Sequence, residues 1–180
     1  MHKILFWIMW GTMYAVSLLP RGFFYFLSNV CAFFLNLLGY RRSVIDINMA
    51  RSFPQAKYGE IKKWRKEYYR YMMDITLESI WALSASQKQI CEVVSVPDRS
   101  MMDDLCARHP KVVIVMGHVG NWELFGGVTG PGGPEVTGGF TRSNIYLSYK
   151  RAKNKAFDEF FVKMRMLAFR KSGNSGGILE

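Results

Sequence analysis

An imidazole and a carboxylate stand five positions apart in residues 116–123, which read Met-Gly-His-Val-Gly-Asn-Trp-Glu. Histidine exchanges a proton readily near neutral pH, and a neighbouring carboxylate can fix its tautomer and stabilise its positive form. On a regular helix, residues five apart point roughly 140° away from each other. His118 and Glu123 therefore meet only if the chain folds back before the helix begins. The pair predicts that His118 is a general base and that Glu123 orients it.

A buried strand is predicted to carry His118 into position. Residues 112–116 form a short, uncharged, β-branched run, which is typical of a strand in a parallel sheet. Asn121 is then expected to cap a short helix that carries Trp122. Open α/β sheets place their chemistry at the carboxyl ends of strands, where His118 would stand. Taken singly, these residues are more often structural: a surface or core histidine, a cap and a core tryptophan.

Helical spacing of apolar residues recurs on both sides of this segment. It predicts an amphipathic helix over residues 58–84, a shorter helix around residues 100–107, and a helix with Phe157 on its apolar stripe that ends near Phe169. A second strand is predicted for residues 144–149. Seven glycines and two prolines over residues 126–139 predict a loop, and this loop lacks the glycine patterns that bind nucleotides.

The first 40 residues are predicted to associate with a membrane. Residues 4–19 and 22–39 contain no charged side chain, and each run is near the lower length limit for a bilayer span, about 20 residues. We interpret the first run as a membrane helix and the second as a helix in or along the interface. A basic segment, expected to be cytoplasmic, begins at Arg41. A cleaved signal peptide and a buried hairpin of a soluble protein are the alternatives.

The charge of the chain favours partners that carry negative charge. Its 24 Lys and Arg against 14 Asp and Glu give a net charge of +10. Two basic blocks, residues 41–70 and 149–171, each hold six more basic than acidic residues. We expect them to face anionic lipid headgroups or an acidic carrier. Nucleic acid is not an expected partner, because no zinc-finger, RNP or helix-turn-helix pattern is present.

The cysteines predict neither a disulfide framework nor a metal centre. They are three in number and scattered along the chain, as Cys31, Cys91 and Cys106. They form no C-x-x-C pair and no cluster with a histidine that has the spacing of metal ligands. This pattern indicates free thiols in a reducing compartment and no metal site.

The chain resembles the lipid A biosynthesis acyltransferase family along nearly its whole length. Residues 117–123 match the H-x4-D/E catalytic box of that family. Residues 39–54 resemble its post-membrane segment, and residues 68–78 resemble its first amphipathic helix. Tyr149 and residues 153–158, followed by Arg165, resemble its Tyr-Arg-x-x-x-Asn region and the next helix. Lys150 stands where the family usually has Arg, and a lysine would bind phosphate without the bidentate fork.

The resemblance implies an acyltransferase that moves a fatty acyl group from acyl carrier protein or coenzyme A to a hydroxyl of a lipid. His118 would be the catalytic base and Glu123 its partner, with direct attack by the alcohol and no acyl-enzyme. Residues 126–139 would be a lid or opening for the acyl chain. No cofactor is implied. The expected substrate-binding residues are Asn121, Lys150, Arg151, Lys153, Asn154 and Arg165. The four basic residues among them would bind phosphate on the donor or acceptor, or help to stabilise the oxyanion.

The predicted fold class is α/β. Membrane and interfacial helices over residues 1–40 would precede a partial acyltransferase-like sheet with flanking helices over residues 41–180. Members of the family continue into further strands, and residues 170–180 look like a degraded end, so we expect an incomplete domain. The expected location is the bacterial inner membrane, with the catalytic part facing the cytoplasm.

Two classes of function compete with an active enzyme. The first is an inactive fragment or membrane-surface module that retains the anchor and half of the fold. Acyl transfer that depends on His118 would exclude it. The second is a basic nucleic-acid binder, which would retain DNA or RNA in a salt-sensitive manner.

Overall fold

A computed structural model of the chain describes residues 2–94, 99–128, 145–173 and 175–179. Helices make up most of this part of the chain, together with a small sheet. In chain order the elements are α1 (His2–Ser17), α2 (Arg21–Leu37), α3 (Arg42–Ser52), α4 (Tyr58–Trp81), α5 (Gln87–Cys91), α6 (Arg99–Arg108), a 3-10 helix (Trp122–Gly127), β1 (Tyr146–Ser148), α7 (Lys155–Lys171) and β2 (Gly177–Leu179).

Local sequence signals account for several helix ends. Ser86 caps α5, because its side chain accepts a hydrogen bond from the backbone N–H of Gln89. The side chain of Gln89 in turn accepts the backbone N–H of Ser86, which completes a capping box. Asn154 caps α7 by accepting hydrogen bonds from two backbone N–H groups of its first turn. Gly173 follows α7 with a φ of 74°, a left-handed conformation that glycine adopts without steric cost and that commonly ends helices.

Strands β1 and β2 pair in parallel, with Leu147 opposite Ile178. Helix α7 connects them, so residues 146–179 form a strand–helix–strand unit. Parallel strands require such a crossover, because a tight turn can join only antiparallel neighbours. The fold is therefore mostly helical with a small parallel sheet, which is compatible with the predicted α/β class.

The described contacts divide the chain into two units. The first contains residues 1–18 and 79–180, and the second contains residues 19–78. In the first unit, Phe6 of α1 and Leu83 pack with residues of α7, including Phe160 and Met164. Burial of these apolar side chains stabilises the unit by removing them from water. The predicted boundary at residue 40 stays a prediction, since it concerns membrane association rather than contacts.

The second unit is held by polar contacts between its helices. Arg65 is 4% exposed, and its guanidinium donates at 2.6 Å to both carboxylate oxygens of Asp46. The Tyr69 hydroxyl, on a fully buried side chain, donates to the backbone carbonyl of Tyr40 at 2.6 Å. These bonds satisfy groups that would be costly to bury unpaired.

Most of the predicted elements form. Helices α4 and α6 confirm those predicted over residues 58–84 and around 100–107, and α7 confirms the helix predicted to end near Phe169. Strand β1 lies within the predicted residues 144–149. The predicted lid falls mainly on residues 129–139, which lie outside the described residues.

The strand predicted for residues 112–116 is wrong. These residues pair with no described strand, and Val113 and Val115 are 88% and 90% exposed. A parallel strand needs a neighbour, and β1 and β2 pair with each other instead. Helix α7 ends at Lys171 and β2 follows over Gly177–Leu179, while the interpretation of residues 170–180 as a degraded end stays a prediction.

Membrane crossing receives no support from any single described helix. None is both long and apolar enough to cross a bilayer, and α1 and α2 meet those requirements only as a pair interrupted by a break.

Candidate active site

The 3-10 helix that carries Trp122 and Glu123 packs closely against its neighbours. Glycine makes this possible at both of its last two positions. A Cβ on Gly126 would lie 3.3 Å from atoms of α7, and a Cβ on Gly127 would lie 2.8 Å from the Cδ1 of Ile90. Because Ile90 is almost fully buried, it has little space to move away. The glycines therefore allow the short helix to hold Glu123 beside α7.

Glu123 forms a two-pronged ion pair with Arg165 of α7. Arg165 donates from Nε to Glu123 Oε2 at 2.9 Å, and its terminal nitrogen donates to the other carboxylate oxygen. Both side chains are largely buried, at 12% and 11% exposure. Charge-assisted pairs of this fork geometry are among the stronger hydrogen-bonded contacts in proteins. The pair fixes the 3-10 helix to α7 at the predicted site.

Three aromatic rings surround the guanidinium of Arg165. Its Cζ lies 4.9 Å from the ring centres of Trp122 and Tyr149 and 5.7 Å from that of Phe161. Aromatic faces attract such a cation, and more strongly when water is excluded. The positive charge of Arg165 is thus held in one place by a carboxylate and by rings from the 3-10 helix, the loop after β1 and α7 itself.

A buried carboxylate continues the network beyond Tyr149. Asp158 accepts the Tyr149 hydroxyl at 2.9 Å, the backbone N–H of Ala152 at 2.7 Å and a guanidinium N–H of Arg151 at 3.2 Å. The N–H of Ala152, followed by Tyr149 and Arg151, lowers the pKa of Asp158. Burial and the hydrogen bond to Asp158 raise the pKa of Tyr149. At neutral pH, Asp158 is therefore a carboxylate and Tyr149 a neutral phenol.

His118 lies at the exposed edge of this network. Its ring centre is 5.2 Å from that of Trp122, with the two rings nearly perpendicular. Among the described residues it makes no hydrogen bond or ion pair, and the structure does not bring it to Glu123, whose oxygens are bound by Arg165. The chain does turn before the 3-10 helix, where Gly120 has a φ of 71°. Orientation of His118 by Glu123 thus stays a prediction.

The other predicted binding residues lie either directly before the 3-10 helix or in the loop before α7. Asn121 precedes the 3-10 helix, and its side-chain oxygen accepts from Ser79 at 3.3 Å without capping the helix. Asn154 caps α7 and so has a structural role in this conformation. Lys150 and Lys153 are exposed, and neither forms an ion pair within the described ranges. Arg151, 62% exposed, reaches Asp158.

Sequence reasoning assigned Arg165 to substrate and missed its bond to Glu123, which lies 42 positions away. It also left Tyr149 and Asp158 outside the predicted site. One signal in the sequence could have revealed Asp158, which lies between Phe157 and Phe160 of the apolar stripe. A carboxylate among apolar helix positions is costly to bury unless it has partners.

A metal centre finds no support in the described part of the chain, because it contains no group of three or more His, Cys, Asp or Glu residues placed to hold an ion. The arrangement instead offers an accessible imidazole, a fixed guanidinium and two exposed lysines. These groups suit proton transfer and the binding of negative charge.

Comparison with known proteins identifies the family. The model of the family described as bacterial lipid A biosynthesis acyltransferase matches residues 1–171 of the 180-residue chain. The chain belongs to this family, and it is an acyltransferase. No curated protein and no solved structure gives a significant match.

Proposed function

We propose that this lipid A biosynthesis acyltransferase transfers a fatty acyl group from a thioester carrier to a hydroxyl of a lipid A precursor or related glycolipid at a membrane surface. Family membership supports the reaction class. The observation that carries the proposal is the contact of the Trp122 ring with both His118 and Arg165. It connects the accessible imidazole to the buried ion pair of Arg165 and Glu123.

His118 would act as the general base. As the acceptor hydroxyl attacks the thioester carbonyl, the imidazole takes its proton, and a C–O bond forms. The tetrahedral intermediate then collapses, the C–S bond breaks, and the leaving thiolate receives the proton from the imidazolium. The ester and the free thiol are the products. The exposure of His118 is consistent with this role, since both substrates must reach the imidazole from outside.

Arg165 would supply a fixed positive charge beside the reacting carbonyl. A preorganised donor stabilises the developing oxyanion without reorganising at the moment of reaction. Glu123 holds the guanidinium by two bonds. In this role Glu123 positions Arg165. Its oxygens keep free lone pairs, so Glu123 would also orient His118, as the sequence predicts, if the imidazole came within hydrogen-bond distance.

Exposed basic side chains beside the site support an anionic donor. Lys150, Arg151 and Lys153 precede α7 in a loop that adjoins Tyr149. Acyl carrier protein and coenzyme A both carry phosphate at one end of the pantetheine arm whose other end bears the thioester. A phosphate at this loop would bind the lysines as point charges. Both carriers remain candidates for the donor.

Location follows from the substrate. A lipid acceptor requires the site to lie at a membrane, and helices α1 and α2, which carry no charged residue after Lys3 and Arg21, are the parts of the chain suited to bind one. We place the protein at the bacterial inner membrane with its site on the cytoplasmic side, where acyl thioesters are made.

The test is transfer of labelled acyl groups by the full chain in lipid vesicles, with acyl carrier protein or coenzyme A as the carrier and a lipid A precursor as acceptor. We expect His118→Ala to lower turnover by about 10²–10⁴-fold, the usual loss of a general base. His109→Ala is the matched control, because His109 is also exposed but lies outside the site.

Equal turnover by the wild type and His118→Ala would refute the base assignment. Absence of transfer with every donor would favour the alternative of an inactive membrane-surface module that retains the family's fold.

A further inference from the structure

Helix α1 has two different faces. Its inward face, defined by Phe6, Met9, Trp10 and Met13, packs against the core of the first unit. Its outward face comprises residues that are exposed and uncharged, namely Ile4, Leu5, Ile8, Gly11, Thr12, Tyr14 and Ala15, while Trp7, also exposed, lies at the border with the inward face. These two sets fall on opposite sides of a helix with 3.6 residues per turn.

Contacts with α7 hold the inward face in place. The Trp10 ring lies edge-on to Phe160, with ring centres 5.7 Å apart. The ammonium of Lys163 lies 4.1 Å from the ring centres of both Trp7 and Trp10. Cation–π attraction of this kind adds to the burial of Phe6 and Met13. Helix α1 is therefore packed on the helix that carries Arg165.

Water is a poor environment for the outward face. Ile4, Ile8 and Trp7 are each at least 60% exposed, and Leu5 is 52% exposed. A surface helix normally turns charged residues outward. Protein–protein interfaces have a polar rim, whereas this face has no charged residue between its N-terminal turn and residue 18. An apolar face with Trp and Tyr fits the boundary between lipid tails and headgroups.

The length of α1 argues against a crossing. Its 16 residues span about 24 Å, whereas the hydrocarbon core of a bilayer is about 30 Å thick. A spanning α1 would also have to expose its inward face to lipid and leave Lys163 without its aromatic partners.

We infer that α1 lies in the plane of the membrane, packed on α7 by one face and inserted into a lipid bilayer by the other. This inference rests on the membrane association proposed above and adds the orientation of α1 in the membrane. Met164 of α7 packs in the same core as α1, and Arg165 follows it. Packed helices lie about 8–10 Å apart. The site would therefore stand one helix layer above the lipid surface, within reach of an acceptor hydroxyl in the headgroup region.

The test measures the depth of single spin labels on the full chain in vesicles of phosphatidylcholine and phosphatidylglycerol. Cys31, Cys91 and Cys106 are replaced by Ala, and one Cys is introduced at Ile4, Ile8 or Ala15. Oxygen and a water-soluble nickel complex report depth. Vesicle flotation and acyl transfer are measured on the same samples, so loss of binding, loss of activity and a wrong orientation are distinguished.

We expect the three labels to lie at similar depths, about 5–10 Å below the headgroups. A label at Met13 is the matched control and should be protected from both reagents. Depths that change progressively by roughly 16 Å from residue 4 to residue 15, the rise along a spanning helix, would overturn the inference. So would full access to the nickel complex in vesicle-bound protein, or dipolar coupling between labels of two copies that forms without lipid.

Discussion

Arg165 and Glu123 form a buried pair in which each side chain depends on the other. We expect Arg165→Met to lower the free energy of unfolding by roughly 3–5 kcal/mol, because it leaves the Glu123 carboxylate buried without its cation. The double variant Glu123→Gln, Arg165→Met should recover part of the loss. Urea denaturation in detergent micelles, followed by circular dichroism, measures both.

Arg170→Met is the control for this pair, since Arg170 is exposed on the same helix. Equal destabilisation by Arg165→Met and Arg170→Met would contradict a structural role for the pair. A double variant no more stable than Arg165→Met would show that the unpaired carboxylate is not the cause of the loss.

The lowered pKa of Asp158 predicts that the stability of the fold depends on pH. Its pKa is lowered in the fold, chiefly by the N–H of Ala152. The stabilisation is therefore fully present above the unfolded pKa of about 3.9 and is lost as the pH falls through the folded pKa. We expect Asp158→Asn to be less stable than the wild type at pH 7, with the difference narrowing below about pH 4. Melting temperatures recorded over this range test it.

Asp104→Asn is the control for Asp158, because Asp104 is an exposed carboxylate that pairs with Arg108 on its own helix. A difference between wild type and Asp158→Asn that stays constant with pH would mean that the carboxylate's charge is not what stabilises the loop before α7.

The contact between the 3-10 helix and α5 depends on Gly127. We expect Gly127→Ala to destabilise the protein by about 1–3 kcal/mol, a typical cost of overpacking, because its Cβ would lie 2.8 Å from Ile90. Ile90→Val removes the clashing methyl and should restore part of the loss. Gly59→Ala in α4 is the control, since nothing lies within 4 Å of its Cβ position.

Gly59→Ala should stabilise by about 0.5–1 kcal/mol through helix propensity. Denaturant titrations compare the variants, and acyl transfer shows whether the clash also displaces Glu123. A Gly127→Ala protein as stable as the wild type would mean that the two elements separate without cost.

Elements with a strong local signal could be predicted from the sequence. The apolar periodicity of α4 and α7 is a local property, so these helices followed from the sequence alone, whereas Asn154 was assigned to substrate binding and its capping role was missed. The run of residues 112–116 shows the limit of this reasoning, because a strand also requires a partner that its own residues do not specify. The bond between Glu123 and Arg165 is a tertiary contact, which hydrophobic periodicity cannot reveal.

The molecule as a whole carries a net charge of +10. We expect the KM for an acyl carrier protein donor to rise several-fold between about 50 and about 300 mM salt, while kcat stays constant, because salt screens attraction between exposed charges. Lys150→Gln with Lys153→Gln should raise KM at low salt and weaken its salt dependence. Steady-state kinetics at several salt concentrations test this.

Lys88→Gln is the control for Lys150 and Lys153, since Lys88 is exposed on α5 and lies outside the loop before α7. An unchanged KM across this range of salt would indicate that the carrier is recognised without its charge. An equal effect of Lys88→Gln would assign the attraction to net charge rather than to the loop before α7.

Lys171 joins distant parts of the chain. Its ammonium donates to the backbone carbonyls of Ala82, Leu83 and Ala85, which lie 89, 88 and 86 positions earlier. Closing loops of this length costs chain entropy before any contact repays it, so we expect such contacts to form late in folding. Interactions that are absent from the transition state slow unfolding and leave the rate of folding nearly unchanged. We therefore expect Lys171→Met to speed unfolding and to leave the refolding rate nearly unchanged, as stopped-flow kinetics would measure.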